Sequence, residues 1–335
     1  MIGRSAIKVA TAAILGLGYA SVLGQSLVFE RLPAALLDVT PPSSRVEGAP
    51  GEMRIVSNEC RALPAGNLRQ RIVNTAVQEW AYFGFSVYDQ THLRGVNTSR
   101  RWTRPRIDPA EAERVAASIA GYWSAAPNSS WIVQDQNNRW ERSGPATRWR
   151  NPWSAAFVSW VMCEAGLGDS ARFQRAIAHH TYIDQAIAAR DQQDSGAAYQ
   201  AFEVGEQVVQ PGDMLCRGYR PFYSSIAQRK TQMGEGARTH CDIVVKVDEE
   251  NEQFLMIGGN VRGWVRLKVL PGSAPDGGNF QPVPYGGRQI FAHLKLQEAE
   301  TINTTLEQTA VMQRLDCSAQ KGLVSTLALQ VEHCS

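Results

Sequence analysis

The spacing of apolar residues changes near Pro211, and this change constrains the fold more than any other feature. Before it, apolar residues recur at helical spacing, as in residues 67–83 and 108–123. After it, short apolar runs between turn residues predict strands: GDMLC, THCDIVVKV, EQFLMIGGN, GWVRLKVL and RQIFAHLKL. Helices followed by a run of antiparallel strands predict an α+β domain, with N-terminal helices packed on an antiparallel sheet.

The segment NPWSAAFVSWVMCEAG, residues 151–166, predicts a helix with Ser154 near its start. Asn151 is the expected N-cap, Pro152 suits the first helical position, and Gly166 suits the C-terminal end. A further helix is predicted over residues 170–190. The polar, tryptophan-rich residues 128–150 are predicted to form turns.

A serine at a helix N-terminus lies beside free backbone N–H groups and the positive end of the helix dipole. The N–H of Ala155 is a candidate to stabilise an oxyanion. A hydroxyl also needs an adjacent base, and His240, at the start of a predicted strand, is the best candidate. Strand alternation puts Asp242 on the same face as His240. Asn260 follows two glycines that allow close backbone approach, so we favour it over Asp242 as the group that orients the imidazole.

Each of these residues also has a structural interpretation. Ser154 can be a small residue in a first helical turn, and His240 a hydrogen-bonded histidine at a strand end. His179 and His180 are predicted to lie inside a helix, in the core or in solvent, and we choose His180 as a substrate-binding candidate. Trp149 and Trp153 can form an aromatic rim for substrate or can pack in the core.

The segment WSAAFVSWVMCEAG resembles the nucleophile helix of the CHAP and NlpC-type papain-like peptidoglycan hydrolases. The family's cysteine falls on Ser154, and the family's histidine strand falls on HCDIVV, which makes His240 the implied base. PGDML resembles the family's Pro-Gly-Asp strand. GGNVRGWVRL resembles its Gly-Asn segment and places the polar third residue on Asn260. The resemblance implies a papain-like fold and an acyl-transfer site in which serine replaces the usual cysteine.

A closer resemblance is to the bacterial domain-of-unknown-function family 2272. That family's pattern includes a Trp-Ser-Ala-Ala-Phe helix and a His-Cys-Asp strand. The segments QEWAYFG, RVAASIAGYW and AHHTYIDQAIAAR also fit it. The similarity extends over about residues 68–296 of the chain.

The N-terminus suggests export. Arg4 and Lys8 precede an uncharged apolar run, so residues 1–24 are predicted to be a signal peptide, or an uncleaved anchor that attaches the protein to a membrane. The alternatives both put the body of the protein in the periplasm or outside the cell. Residues 25–63 are predicted to be an extension that contains a linker, 64–298 the papain-like domain, and 299–335 a C-terminal extension.

The six cysteines contain no CxxC pair, so the sequence gives no support to a zinc site. An oxidising compartment favours disulfides, and Cys317–Cys334 is the expected pair. Cys216 and Cys241 lie on predicted neighbouring strands and can be either core thiols or a disulfide.

Together these features predict an exported hydrolase of cell-wall peptide or amide bonds, with peptidoglycan or a peptide as its partner and no metal or cofactor. An inactive module that binds peptidoglycan or a protein is one alternative, and a hydrolase of another acyl bond, such as an ester, is another. The net charge of +2 argues against nucleic acid as a partner.

Overall fold

A computed structural model of the chain describes residues 30–33, 35–37, 39–64, 66–97, 106–144, 147–298 and 306–315. Within these residues the α-helices are α1 Leu68–Tyr82, α2 Pro109–Arg114, α3 Ala116–Ser124, α4 Ser130–Ser143, α5 Ser154–Glu164, α6 His179–Asp191 and α7 Ile226–Lys230. The strands are β1 Val46–Glu47, β2 Arg54–Ile55, β3 Val87–Asp89, β4 Tyr199–Phe202, β5 Met214–Arg220, β6 Arg238–Asp248, β7 Gln253–Val261, β8 Trp264–Ser273, β9 Gln281–Pro282 and β10 Ala292–Leu296.

The described strands other than β1 and β2 form one sheet in the order β3-β8-β7-β6-β5-β10-β4, with β9 paired to β8. The five predicted strands are confirmed as β5, β6, β7, β8 and β10, and the α+β class is confirmed with them. The expectation of a purely antiparallel sheet is wrong, because β3 pairs with β8 in parallel. Strand β3 has only three residues, too few to show an alternating pattern in the sequence.

Both faces of the sheet are buried. Helices α1 and α5 pack on one face, where Cys241, Ile243 and Val245 of β6 join the larger core. The other face carries Leu215, Val244, Met256 and their neighbours, which form a smaller core. Alternation along β6 therefore directs His240 and Asp242 to the face opposite α1 and α5. The side chains of His240 and Asp242 therefore do not point toward the N-terminus of α5.

The segment before α1 packs against the helical layer. Arg31 forms a buried ion pair with Glu79 at 2.6 Å, and Arg45 forms another with Glu164 at 2.6 Å. The predicted linker, residues 40–52, contains a short 3-10 helix, Pro42–Arg45, and strand β1. A Cβ on Gly121 would lie 1.9 Å from the Pro42 oxygen, so this segment lies directly on α3.

The prediction of turns over residues 128–150 is wrong, because α4 occupies most of this range. Its buried stripe includes Gln136 and Asn137 as well as Ile132, Val133 and Trp140, so polar residues concealed the helical period. The buried amide of Asn137 bonds both the N–H and the carbonyl of Met53.

The predicted starts of α5 and α6 also need correction. Helix α5 begins at Ser154 with Trp153 as its N-cap, and Asn151 instead donates a 3.3 Å hydrogen bond to Asp135. Helix α6 begins at His179 rather than at residue 170. The residues before it start in a turn in which the Asp169 carboxylate accepts from the N–H of Ala171, an arrangement that competes with helix.

Two disulfides lie within the described part of the chain. Cys60–Cys163 ties the N-terminal extension to α5, and Cys216–Cys241 joins facing residues of β5 and β6. The second was one of two alternatives that the sequence left open. The expected Cys317–Cys334 pair lies outside the described residues, as does the predicted signal peptide.

Candidate functional site

Ser154 is the first residue of α5 and its side chain is partly exposed. The rest of the helix is buried, which fixes the position of this end against the sheet. The N–H groups of the first turn, including that of Ala155, have no partner within the helix. Ser154 therefore combines an accessible hydroxyl with nearby free backbone donors.

The Ser154 hydroxyl contacts His179, which the sequence had placed inside a helix without a role. Ser154 Oγ lies 2.7 Å from Nε2 of His179, the first residue of α6. The other ring nitrogen, Nδ1, forms a short hydrogen bond with the Tyr182 hydroxyl. Tyr182 lies one helical turn after His179, on the same face of α6. These three residues form a connected serine–histidine–tyrosine chain.

The β6–β7 pairing does not extend to Cys241, and His179 contacts the sheet at this part of β6, which β7 leaves unpaired. The pairing of β6 with β7 starts at Ile243 and Ile257, so the N–H of Cys241 lies beyond it. This N–H donates a 3.2 Å hydrogen bond to Nδ1 of His179. A backbone N–H that β7 leaves unpaired is thus satisfied by the imidazole.

His240 and Asp242 form a second polar group beside the first. Nε2 of His240 lies 2.8 Å from Oδ1 of Asp242, and the other carboxylate oxygen accepts a short hydrogen bond from Lys268. The His240 ring lies 5.1 Å from the His179 ring, centroid to centroid. The hydrogen-bonded partner of Ser154 is thus His179 and not the predicted His240, because His240 lies on the face of the sheet opposite α5.

Burial and neighbouring charge set the protonation of this group. Burial lowers the pKa of His179 well below its ordinary value, and repulsion from His240 when that ring is protonated lowers it further. Burial also lowers the pKa of His240, against the opposing effect of Asp242. Burial alone would raise the pKa of Asp242, but His240 and Lys268 bring it far below its ordinary value. Burial lowers the pKa of Lys268 to about 8, although Asp242 opposes this shift. Near neutral pH both imidazoles are therefore neutral and Asp242 is an anion.

Asn260, the favoured orienting residue, forms no hydrogen bond with His240. The register of β7 shifts between Gly258 and Val261, and Asn260 has a φ of 55°. A bulge of this kind re-aims a side chain, and Asn260 lines a cavity with Trp149 and Trp153. Asp242, the alternative, is the residue that contacts His240.

The glycines before Asn260 allow the close approach that the sequence indicated. A Cβ on Gly258 would lie 1.9 Å from Oδ1 of Asp242. A Cβ on Gly259 would lie 2.5 Å from the Cβ of Phe157, one turn along α5 from Ser154. The absence of side chains at these positions therefore sets the spacing between β7 and α5.

The predicted substrate-binding residues separate into two groups. Trp149 and Trp153 line the same cavity, and Trp153 stacks on Tyr122 with ring centroids 5.7 Å apart. His180 is partly buried, and its Nδ1 lies 3.1 Å from the carbonyl oxygen of Ala237, outside the residues that line this cavity. Within the described residues, no three His, Cys, Asp or Glu side chains converge as a metal site would require.

The sequence did not identify His179, Tyr182 or Lys268 as parts of the site. The one available signal was the i, i+3 spacing of His179 and Tyr182, which puts both on one helical face. That signal was weak because the start of α6 was misplaced. The sequence gave no signal for Lys268, because a lysine in a strand ordinarily faces solvent.

Comparison with known proteins gives a family but no described activity. No curated protein and no solved structure matches the chain significantly. None of the described helices combines the length and apolar character needed to cross a bilayer. Residues 112–282, just over half of the chain, match a family described as an uncharacterized protein conserved in bacteria. This match includes Ser154, His179, His240 and Asp242, and the chain therefore belongs to the bacterial family DUF2272.

Proposed function

We propose that this protein is an acyl hydrolase in which Ser154 is the nucleophile and His179 the general base. The observation that carries the proposal is the 2.7 Å contact between Ser154 Oγ and His179 Nε2 at the N-terminus of α5. A serine hydroxyl becomes a useful nucleophile only with a base at such a distance. The base in turn contacts Tyr182, a third group able to orient the ring.

The reaction would follow ordinary acyl transfer. Ser154 Oγ attacks the carbonyl carbon while Nε2 of His179 takes the hydroxyl proton. The N–H of Ala155 can donate to the oxyanion that forms. His179 then gives the proton to the leaving group, and a water molecule releases the acyl group by the same route. The buried anion of Asp242 favours the positive charge that His179 acquires during these steps.

Base catalysis constrains the tautomer of His179. Nε2 must be unprotonated to accept from Ser154, so the ring proton must be on Nδ1 and donate to the Tyr182 oxygen. In the resting arrangement, however, the Cys241 N–H donates to Nδ1, which puts the proton of a neutral ring on Nε2. Substrate binding would therefore have to release the contact with Cys241.

We propose the peptide or amide bonds of peptidoglycan as the substrate and the periplasm or the cell exterior as the location. The resemblance to papain-like wall hydrolases supports this substrate class. The Cys60–Cys163 and Cys216–Cys241 disulfides support an oxidising compartment, because such bonds rarely persist in a reducing cytosol.

The Cys241 contact also favours a second candidate, a binding module that retains the fold without the reaction. With the proton on Nε2, His179 donates to Ser154 and cannot activate it. Ser154 would then be a fixed hydrogen-bonding group in a cleft that binds a peptide of the cell wall.

Digestion of purified sacculi distinguishes these candidates. The wild-type protein should release new fragments detectable by mass spectrometry, and Ser154→Ala and His179→Gln should reduce release by at least about a hundredfold. Ser170→Ala, on the exposed surface, is the matched control and should leave release unchanged. Retained binding to sacculi without release by the wild type would support the binding module and contradict the hydrolase.

A further inference from the structure

Two adjoining cavities lie beside the N-terminus of α5. The first, of about 320 Å³, is lined by Trp153 and Asn260, and the second, of about 530 Å³, by Arg139. Arg106, Arg148, Trp149 and Arg150 line both cavities. Trp153 immediately precedes Ser154 in the chain, so the first cavity includes the N-cap of α5, although Ser154 itself does not line it.

The described lining of both cavities is positively charged. It contains several arginines and no aspartate or glutamate. Arg148 donates to the Ile107 carbonyl oxygen, which leaves its charge uncompensated. Arg106 and Arg150 are exposed residues, and neither forms an ion pair with a described residue. Arg106, Arg148 and Arg150 thus gather like charges that no described carboxylate pairs with, and such a cluster favours binding of an anion.

The aromatic lining supplies a rigid wall. Trp149 packs edge-on against Trp140, with ring centroids 5.2 Å apart. The indole N–H of Trp149 is buried, and no described residue accepts from it. Because this N–H is closed off by its neighbours, Trp149 contributes to the wall and donates to no ligand in the cavity. Asn260, with its positive φ, adds a carboxamide to the same lining.

We infer that these cavities bind an oxyanion group of the ligand next to the N-terminus of α5, with Arg106, Arg148 and Arg150 supplying the charge. Guanidinium groups match the geometry of carboxylate and phosphate oxygens. Under the proposed function, on which the substrate assignment rests, the acyl substrate would carry a carboxylate close to the bond that is cleaved.

Calorimetry on the full chain carrying Ser154→Ala tests the inference without turnover. The probes are N-acetyl-Ala-Ala with a free carboxylate, the same peptide with a C-terminal amide, and inorganic phosphate. We expect the acid to bind at least about tenfold tighter than the amide, a preference that weakens with added salt. The double variant Arg106→Gln/Arg150→Gln should lose this preference, whereas Arg142→Gln, an exposed change on α4, should keep it.

Each outcome decides the inference. Arginine-dependent binding of phosphate, but not of the peptide acid, would support the oxyanion site and identify free phosphate as its ligand. Equal binding of acid and amide with no binding of phosphate would overturn it, as would anion binding that the double variant leaves unchanged. If the wild-type protein digests sacculi but the calorimetry shows no preference for the anionic probes, this inference is refuted and the proposed function stands. If the anionic probes bind in an arginine-dependent way but the wild-type protein does not digest sacculi, the proposed function is refuted and this inference stands.

Discussion

The backbone N–H of Cys241 donates to Nδ1 of His179, whose Nε2 faces the Ser154 hydroxyl. Because a backbone N–H can only donate, the neutral ring of the resting protein should carry its proton on Nε2. Nitrogen chemical shifts of His179 measured by NMR on labelled protein should show this tautomer. A proton on Nδ1 would mean that Ser154 already donates to His179, and would contradict the resting arrangement.

Replacing Ser154 with cysteine should produce a reactive thiol. A cysteine at a helix N-terminus has a lowered pKa, and the thiolate is the species that reacts. At pH 7 we expect Ser154→Cys to react with iodoacetamide about tenfold faster than Ser170→Cys on the exposed surface. Equal rates at the two positions would show that the N-terminus of α5 does not activate a nucleophile.

Stability should fall as the solution is acidified from pH 7 to pH 5. Burial lowers the pKa values of His179 and His240 in the folded protein, whereas the unfolded chain binds protons near pH 6.5. The unfolded state therefore takes up more protons on acidification, and the free energy of unfolding falls as the pH drops through the unfolded-state pKa of these histidines.

Urea unfolding at several pH values measures this dependence. His179→Gln should reduce the difference in the free energy of unfolding between pH 7 and pH 5. His92→Gln, at an exposed position, should leave that difference unchanged. An identical pH dependence in wild type and His179→Gln would contradict the lowered pKa of His179.

Removing the Cys60–Cys163 disulfide should destabilise the protein more than removing Cys216–Cys241. The first closes a loop with a sequence separation of 103 and the second one of 25. Chain entropy predicts that the free energy of unfolding falls by about 4.7 kcal/mol without the first disulfide and by about 3.5 kcal/mol without the second. Urea unfolding of the two Cys→Ala double variants measures both, and the reverse order would mean that loop entropy does not dominate.

Gly259→Ala should lower the free energy of unfolding by about 1 to 3 kcal/mol, because the added methyl overlaps Phe157. Gly236→Ala is the matched control, since a Cβ there meets nothing within 4 Å. If both variants unfold at the same urea concentration, then β7 does not approach α5 as closely as described.

The sequence predicted the elements that have a clear period. Strands β5 to β8 alternate or form apolar runs, so their positions follow from composition and turn residues. The alternation of β6 also predicted correctly that Asp242 shares a face with His240. Helix α4 escaped prediction because Gln136 and Asn137 face inward, and hydrogen bonds rather than apolar contacts satisfy them.

The contacts of the site depend on tertiary geometry that the sequence does not encode locally. The bulge in β7 places Asn260 in the cavity lining, and the end of the β6–β7 pairing at Ile243 leaves the N–H of Cys241 for His179. No spacing along the chain relates Ser154 to His179, which are separated by 25 residues and an irregular segment. The sequence therefore offered the serine as a candidate, and the structure shows which histidine contacts it.

The most direct test of the central claim is labelling with a fluorophosphonate, which reacts with activated serines whatever bond they cleave. The account predicts one modified residue, Ser154, identified by peptide mass spectrometry. Labelling should disappear in Ser154→Ala, fall by at least about a hundredfold in His179→Gln, and persist in Ser170→Ala. Labelling of Ser154 that does not depend on His179, or no labelling of Ser154 at all, would contradict the assignment of this pair as the reactive centre.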